Sequence, residues 1–191
     1  FTSRHFYEIG EIEVGARTGW LGRYLDQVGT SDNPLQGLSL DRILSPALAT
    51  ATNPVAAMST YGGFELSSPA AEPVRAELYS SFEKMGALPS GDPGTRQLRD
   101  ATAQTARLRH DLPALEPVEE RDYPDTPMGS RLRLLAQYLD LGLPIRVASV
   151  TATGGYDTHA GQDYTLKENI KATSDSLYAF QRDLESRGLA D

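Results

Sequence analysis

Ile145–Gln162, IRVASVTATGGYDTHAGQ, is the stretch on which the reading of the whole chain turns. A β-branched, apolar start gives way to Gly154-Gly155, after which Asp157 and His159 stand two residues apart. The apolar run predicts a strand over Ile145–Thr151. Arg146 and Ser149 leave open whether both of its faces are buried. In open α/β sheets, ligands bind outside the carboxyl ends of the strands, so a turn presenting a carboxylate and an imidazole there is a candidate site.

Working outward, the flanking segments support a strand at this place. Upstream, Met128, Leu132, Leu135 and Leu139 mark one helix face, widened by Leu134, Tyr138 and Leu141, and Gly142-Leu143-Pro144 stops the helix. Downstream, Leu166, Ile170, Thr173, Leu177, Phe180 and Leu184 recur at alternating spacings of four and three. They predict a long amphipathic helix from Asp163 to Gly188. Helix, strand, loop and helix form half of a doubly wound α/β unit, whose crossover is expected to be right-handed. A further parallel strand is expected beyond Asp191, from missing segments or from a second chain that completes the sheet.

The first part of the chain is less regular. A short helix is expected near His5, and Trp20, Leu21, Tyr24, Leu25 and Val28 fall at helical spacing before Gly29. Core packing is the expected role of Trp20. Residues 30–64 read as loops, with one short strand around Leu35–Leu40. Ser68 and Pro69 then suit the start of a helix with an apolar stripe of Ala71, Val74, Leu78, Phe82 and Met85, ending at Gly86. After the turn Ser90–Gly94, a second, largely solvent-exposed helix carries Leu98, Ala101, Thr105, Leu108 and Leu112. From Asp111 to Pro127 the chain is acidic and proline-rich, a solvated connector in this reading. The organisation expected is therefore one partial domain: a loop- and helix-rich part over 1–110, the connector over 111–128, and the helix-strand-loop-helix unit over 129–191.

Composition excludes several classes. With 18 Lys and Arg against 26 Asp and Glu, the net charge is −8, so phosphate neutralisation and hence nucleic-acid binding are not expected. The chain has no cysteine, which removes disulfides, thiolate metal sites and a cysteine nucleophile. No apolar run approaches the roughly 20 residues of a membrane helix, so membrane insertion is not expected. The chain opens on Phe1 rather than methionine, as an internal piece of a longer protein would.

Residues two apart in an extended segment point to the same side, so Asp157 and His159 can converge on one divalent cation such as zinc, manganese or iron. Gln162 is close enough in sequence to orient a ligand or substrate. The competing reading is a turn braced by Asp157 bonding to nearby backbone amides, with His159 exposed. On spacing alone that reading is the better one, because a metal site needs three or four ligands. His110, at the end of a helix, fits the helix dipole and is assigned no chemistry. Arg17 and Arg23 are expected to pair with carboxylates rather than to bind an anion.

GGYDTHAGQ, preceded by YPDTPMGSRLRLLAQYLDLGLPIRVASV, resembles the central motif of a bacterial family of unknown function. Its members are often exported by the twin-arginine route and are distantly allied to the alkaline-phosphatase and sulfatase superfamily. GWLGRYLD, NPLQGLSL and SLYAFQRDLESRGLAD resemble that family in the same order. The resemblance implies an alkaline-phosphatase-like α/β/α layered fold with a parallel-rich sheet, present here in part, and a periplasmic or exported location. It implies that Asp157 and His159 are metal ligands for a divalent ion. Further ligands are implied outside this chain, in an upstream Gly-Gly-x-Asp turn and a downstream Asp-His pair.

Family members usually read Arg-Ser-His-Phe where this chain reads Thr2-Ser3-Arg4-His5-Phe6, so Arg4 takes the place of the serine near the superfamily's nucleophile position. Ser3 or Thr2 would then serve as nucleophile only through a shift of register, and a hydroxyl needs activation by a metal or base. The alternative roles are a helix N-cap for Ser3 and a packed or solvent-facing side chain for His5. The function implied is that of a metal-dependent hydrolase-like protein acting on phosphate or sulfate esters. The alternative is a non-catalytic binding or assembly protein of the cell envelope on the same scaffold.

Overall fold

Asn33 opens the sheet. Its side-chain oxygen accepts from the Leu35 amide at 3.0 Å, Pro34 suits the first helical position, and a single 3-10 turn, Pro34–Gln36, feeds β1 (Gly37–Ser39). The computed structural model describes residues 2–13, 15–58, 71–111, 122–157 and 159–190. Among these, β1 is buried along its length and forms the middle of a parallel sheet ordered β2 (Ala56–Ala57), β1, β3 (Val147–Ser149). Leu38 lies opposite Ala56 and Ala148, and Ser39 opposite Ala57 and Ser149. Backbone bonds from Arg146 to Gln36 (3.0 Å), Leu40 to Ser149 (2.9 Å) and Met58 to Ser39 (2.8 Å) lengthen the ladders by a residue. The class is α/β, a small parallel sheet flanked by helices. β1 and β3 lie inside the strands expected over Leu35–Leu40 and Ile145–Thr151, but β2 was not expected, because Ala56-Ala57 carries little strand preference.

Strands this short make few ladder bonds, and polar side chains add to them. The buried Gln36 carboxamide accepts from Thr30 N–H (2.8 Å) and donates to the carbonyls of Thr30 (2.9 Å) and Pro54 (3.0 Å). Asp26 accepts the amides of Ala51 (2.7 Å), Thr52 (3.0 Å) and Asn53 (2.9 Å), and the Thr52 hydroxyl (2.8 Å). Burial pushes the Asp26 carboxyl up, but the Asn53, Ala51 and Thr52 bonds outweigh it and hold the pKa below its ordinary 3.8.

The chain divides into two compact units, Phe1–Thr60 with Pro117–Asp191, and Tyr61–Glu116. In the first, α1 (Thr2–Ile9) and α2 (Trp20–Val28) pack on the 3-10 turn Pro46–Leu48. A Cβ on Gly22 would collide with the Ala49 carbonyl, so α2 lies backbone to backbone against this loop. That contact turns the Gly22–Leu25 face inward. Trp20, expected in the core, is 52% exposed on the flank of the helix, together with Tyr24.

α5 (Pro127–Asp140) begins at Thr126, whose hydroxyl accepts from Gly129 N–H at 3.0 Å. Met128, Leu132 and Leu135 are buried as the spacing predicts, whereas Leu141, expected on that face, is exposed past the helix end. There Gly142, at φ +70°, donates to Leu139 O and Leu143 to Tyr138 O, a Schellman ending. α6 (Gln162–Arg187) packs on α5. Its expected stripe is displaced: Ile170 and Leu177 are exposed, and the buried positions are Ser176 and Asp183. The reason is a polar seam. Asp183, its side chain 2% exposed, accepts from Arg187 Nε (2.8 Å) and the Tyr123 hydroxyl (3.0 Å). Arg187 also pairs with Asp140 of α5, and Ser176 Oγ lies 3.3 Å from Thr126 Oγ1. Burial opposes the Arg187 charge, but Asp183 and Asp140 outweigh it and raise the pKa.

The second unit pairs α3 (Val74–Gly86) with α4 (Pro93–Asp111). Asp92 caps α4 through Thr95 N–H at 2.7 Å, ahead of Pro93. In α3 the expected stripe is also displaced: Val74, Leu78 and Met85 are exposed, while Tyr79 and Gly86 are buried. A Cβ on Gly86 would lie 2.8 Å from Ala103 N, so this close approach of α4 sets which face turns in. Leu98 of α4 is exposed and Leu108 buried. Ser68, Pro69, Leu112 and the middle of the acidic connector lie outside the described residues. No helix among the described residues is long and apolar enough to cross a membrane.

Two expectations follow. Gly22→Ala forces a methyl group into the Ala49 backbone and should destabilise the protein by about 1–3 kcal/mol, read from its urea midpoint. For Asp26, the folded pKa lies below the unfolded one. Its contribution is therefore complete above the ordinary value and lost as pH falls through the folded value. The stability gap between wild type and Asp26→Asn should thus narrow as denaturation is repeated at successively lower pH.

Candidate functional site

The site is built at the carboxyl ends of β1 and β3. Two residues past β1, Asp41 accepts from the Arg42 amide (2.8 Å) and from the hydroxyl of Thr151, two residues past β3 (2.7 Å). Arg131 of α5 spans the same pair, donating to Thr151 O and Asp41 Oδ1, both at 3.4 Å. The Thr151 hydroxyl bond, followed by the Arg42 amide and helped by the Arg131 charge, holds the Asp41 carboxyl below its ordinary pKa despite some desolvation. Two parallel strands and one helix are thereby tied together where the chain leaves the sheet.

Beyond this knot the chain crosses to α6. Thr153 Oγ1 is buried and has no hydrogen-bond partner among the described residues. Gly154 takes φ +85°, and a Cβ there would run into the Asn169 side-chain oxygen. Asn169 Nδ2 donates to Gly155 O at 2.7 Å. The Tyr156 hydroxyl donates to Asn169 O (3.2 Å) and lies 2.7 Å from Thr173 Oγ1. Of the two glycines expected to let the chain bend, Gly154 therefore also lets it press against the helix.

Asp157 and His159 follow directly. His159 Nδ1 lies 3.0 Å from Asp157 Oδ1, and their side chains are 86% and 88% exposed, respectively. The structure thus brings the two residues together. Both side chains reach solvent, so a carboxylate oxygen and an imidazole nitrogen stand side by side. An oxygen and a nitrogen donor suit a borderline cation such as zinc, manganese or iron, and supply two of the three or four ligands a site needs. Among the described residues, no three His, Cys, Asp or Glu side chains group to hold a metal.

The other candidates are placed differently. Gln162 is the first residue of α6 and exposed. Ser3 is exposed within α1, so the N-cap expected for it is not its position, and His5 is half-buried with its ring tilted against Phe6. Arg23 pairs with Glu11 at 3.2 Å and donates to Thr18 O, the pairing expected for it. Sequence reasoning missed Asp41, Arg131, Thr151 and Asn169. Asp41 and Thr151 are 110 residues apart and carry no local pattern that connects them.

Removing a buried hydroxyl that has no partner relieves a desolvation penalty. Thr153→Val, which keeps the shape, is expected to leave the thermal midpoint unchanged or raise it. A clear fall would mean that the hydroxyl has a partner in solution.

Comparison with known proteins finds no matching family model, no matching curated protein and no matching solved structure.

Proposed function

We propose that this chain belongs to an exported, metal-dependent hydrolase-like protein with an alkaline-phosphatase-like α/β/α fold, acting on phosphate or sulfate esters. The observation that carries the reading is the exposed Asp157–His159 pair, 3.0 Å apart, in the loop that leaves a parallel strand at its carboxyl end. Both side chains offer donors to a divalent ion. When bound, such an ion supplies Lewis-acid polarisation of the ester oxygen. Gln162, the first residue of α6, is the candidate to orient the ester in this reading. The sequence likeness to the exported family, through GGYDTHAGQ and the motifs in order with it, supports the location and the substrate class.

A second reading is a non-catalytic binding or assembly protein of the cell envelope on the same scaffold. It is favoured by Arg4, which stands where that family carries its serine.

Full-length protein purified without chelators, with the further ligands implied outside this chain, is expected to hold about one or two divalent ions, and Asp157→Ala to release them. Elemental analysis finding equal trace metal in both proteins would overturn the metal-site reading. Bound metal without turnover across a panel of phosphate and sulfate esters would favour the binding protein.

A further inference from the structure

We propose that Asn169 is the positioning residue of the Asp157–His159 pair, an inference that rests, for its functional meaning, on the reading of that pair as metal ligands. Three consecutive residues ahead of the pair are held to one turn of α6. Gly154 lies against the Asn169 side-chain oxygen at a distance only a glycine permits. Gly155 O accepts from Asn169 Nδ2 at 2.7 Å. The Tyr156 hydroxyl spans Asn169 O at 3.2 Å and Thr173 Oγ1 at 2.7 Å. One side chain therefore meets the turn through both ends of its carboxamide, and its own backbone carbonyl takes the next residue.

The helix beneath the turn is itself fixed. Further along α6, Ser176, Asp183 and Arg187 lock it to α5 and to the segment before α5 through Thr126, Tyr123 and Asp140. Asp157 is the residue after Tyr156, and a local side-chain contact so exposed has little rigidity of its own. Its direction is inherited from the last clamped residue. Sites are held to useful precision by groups behind the ligands, whose own rotamers are locked by packing and hydrogen bonds. Asn169 fills that place here, with Thr173 as its helper. A side chain that merely stabilised the helix would bond within α6 or to α5, whereas Asn169 Nδ2 bonds out of the helix to the turn.

The test uses the full-length protein, with the further ligands implied outside this chain, in two arms. In the metal-free protein, amide NMR signals of Asp157 and His159 should shift in Asn169→Ala, while those of Ser176–Arg187 stay in place. Unmoved Asp157 and His159 signals would overturn the proposal. In the second arm, zinc affinity measured by competition with a chromophoric chelator should fall roughly ten- to a hundredfold in Asn169→Ala. Tyr156→Phe, which removes only the hydroxyl bonds, should give a smaller loss in the same direction and serves if Asn169→Ala does not fold. Zinc affinity equal to wild type in both variants, with Asp157→Ala still abolishing it, would overturn the positioning role. Shifted Asp157 and His159 signals, together with zinc affinity indifferent to Asp157→Ala, would overturn the metal reading and leave the positioning standing.

Discussion

The Gln36 carboxamide, buried and bonded to the backbone of Thr30 and Pro54, is the constraint on which the sheet depends. It stands one residue before β1 and joins the loop after α2 to the approach to β2. Asp26 does the same from α2 to residues 51–53, and Asn33 reaches across to the Pro144 carbonyl before β3. A parallel sheet of strands two or three residues long cannot hold itself by its ladder alone. Here the side chains of polar residues complete it, and each does so by bonding to main chain. The fold is accordingly sensitive to the shape of amides and carboxylates as much as to its apolar volume.

This pattern explains which elements were legible in the sequence. α5 is read correctly because leucines bury it and Gly142 stops it, both local signals of ordinary kind. β1 and β3 are read correctly in place because their apolar runs are bounded by Asn33-Pro34 and by Gly142–Pro144. The faces of α3 and α6 are misread, each by about one residue around the helix. In α3 a glycine and an alanine make the contact, and in α6 a serine, an aspartate and an arginine make it. Hydrophobic periodicity has no term for either. Trp20 is misplaced for a related reason: α2 docks by its smallest residue, so its largest is left on the flank.

The candidate site divides along the same line. Asp157 and His159 are visible in sequence because they are two residues apart, and their side chains lie 3.0 Å from one another. The parts that hold them are invisible. Asp41, Arg131 and Thr151 come from three separate elements, and Asn169 looks like an ordinary polar residue of a helix surface. What gives Arg131, Thr151 and Asn169 a role is a backbone carbonyl or a carboxylate, and what gives Asp41 one is the Thr151 hydroxyl and the Arg131 guanidinium; such partners leave no mark in composition or period.

The pairing of Gly37 with Val147 joins positions 110 residues apart, with the whole α3–α4 unit threaded between them. Loop-closure entropy grows only with the logarithm of length, so halving that separation would ease closure by only about 0.6 kcal/mol. The sheet is nearly indifferent to how much chain is inserted there. It follows that, for closure of the sheet alone, the length of the chain between β1 and β3 can change by tens of residues at less cost than a single methyl group added at Gly22. The strict dimensions of this protein lie at close backbone contacts, and the long excursion between its strands is where it has room to vary.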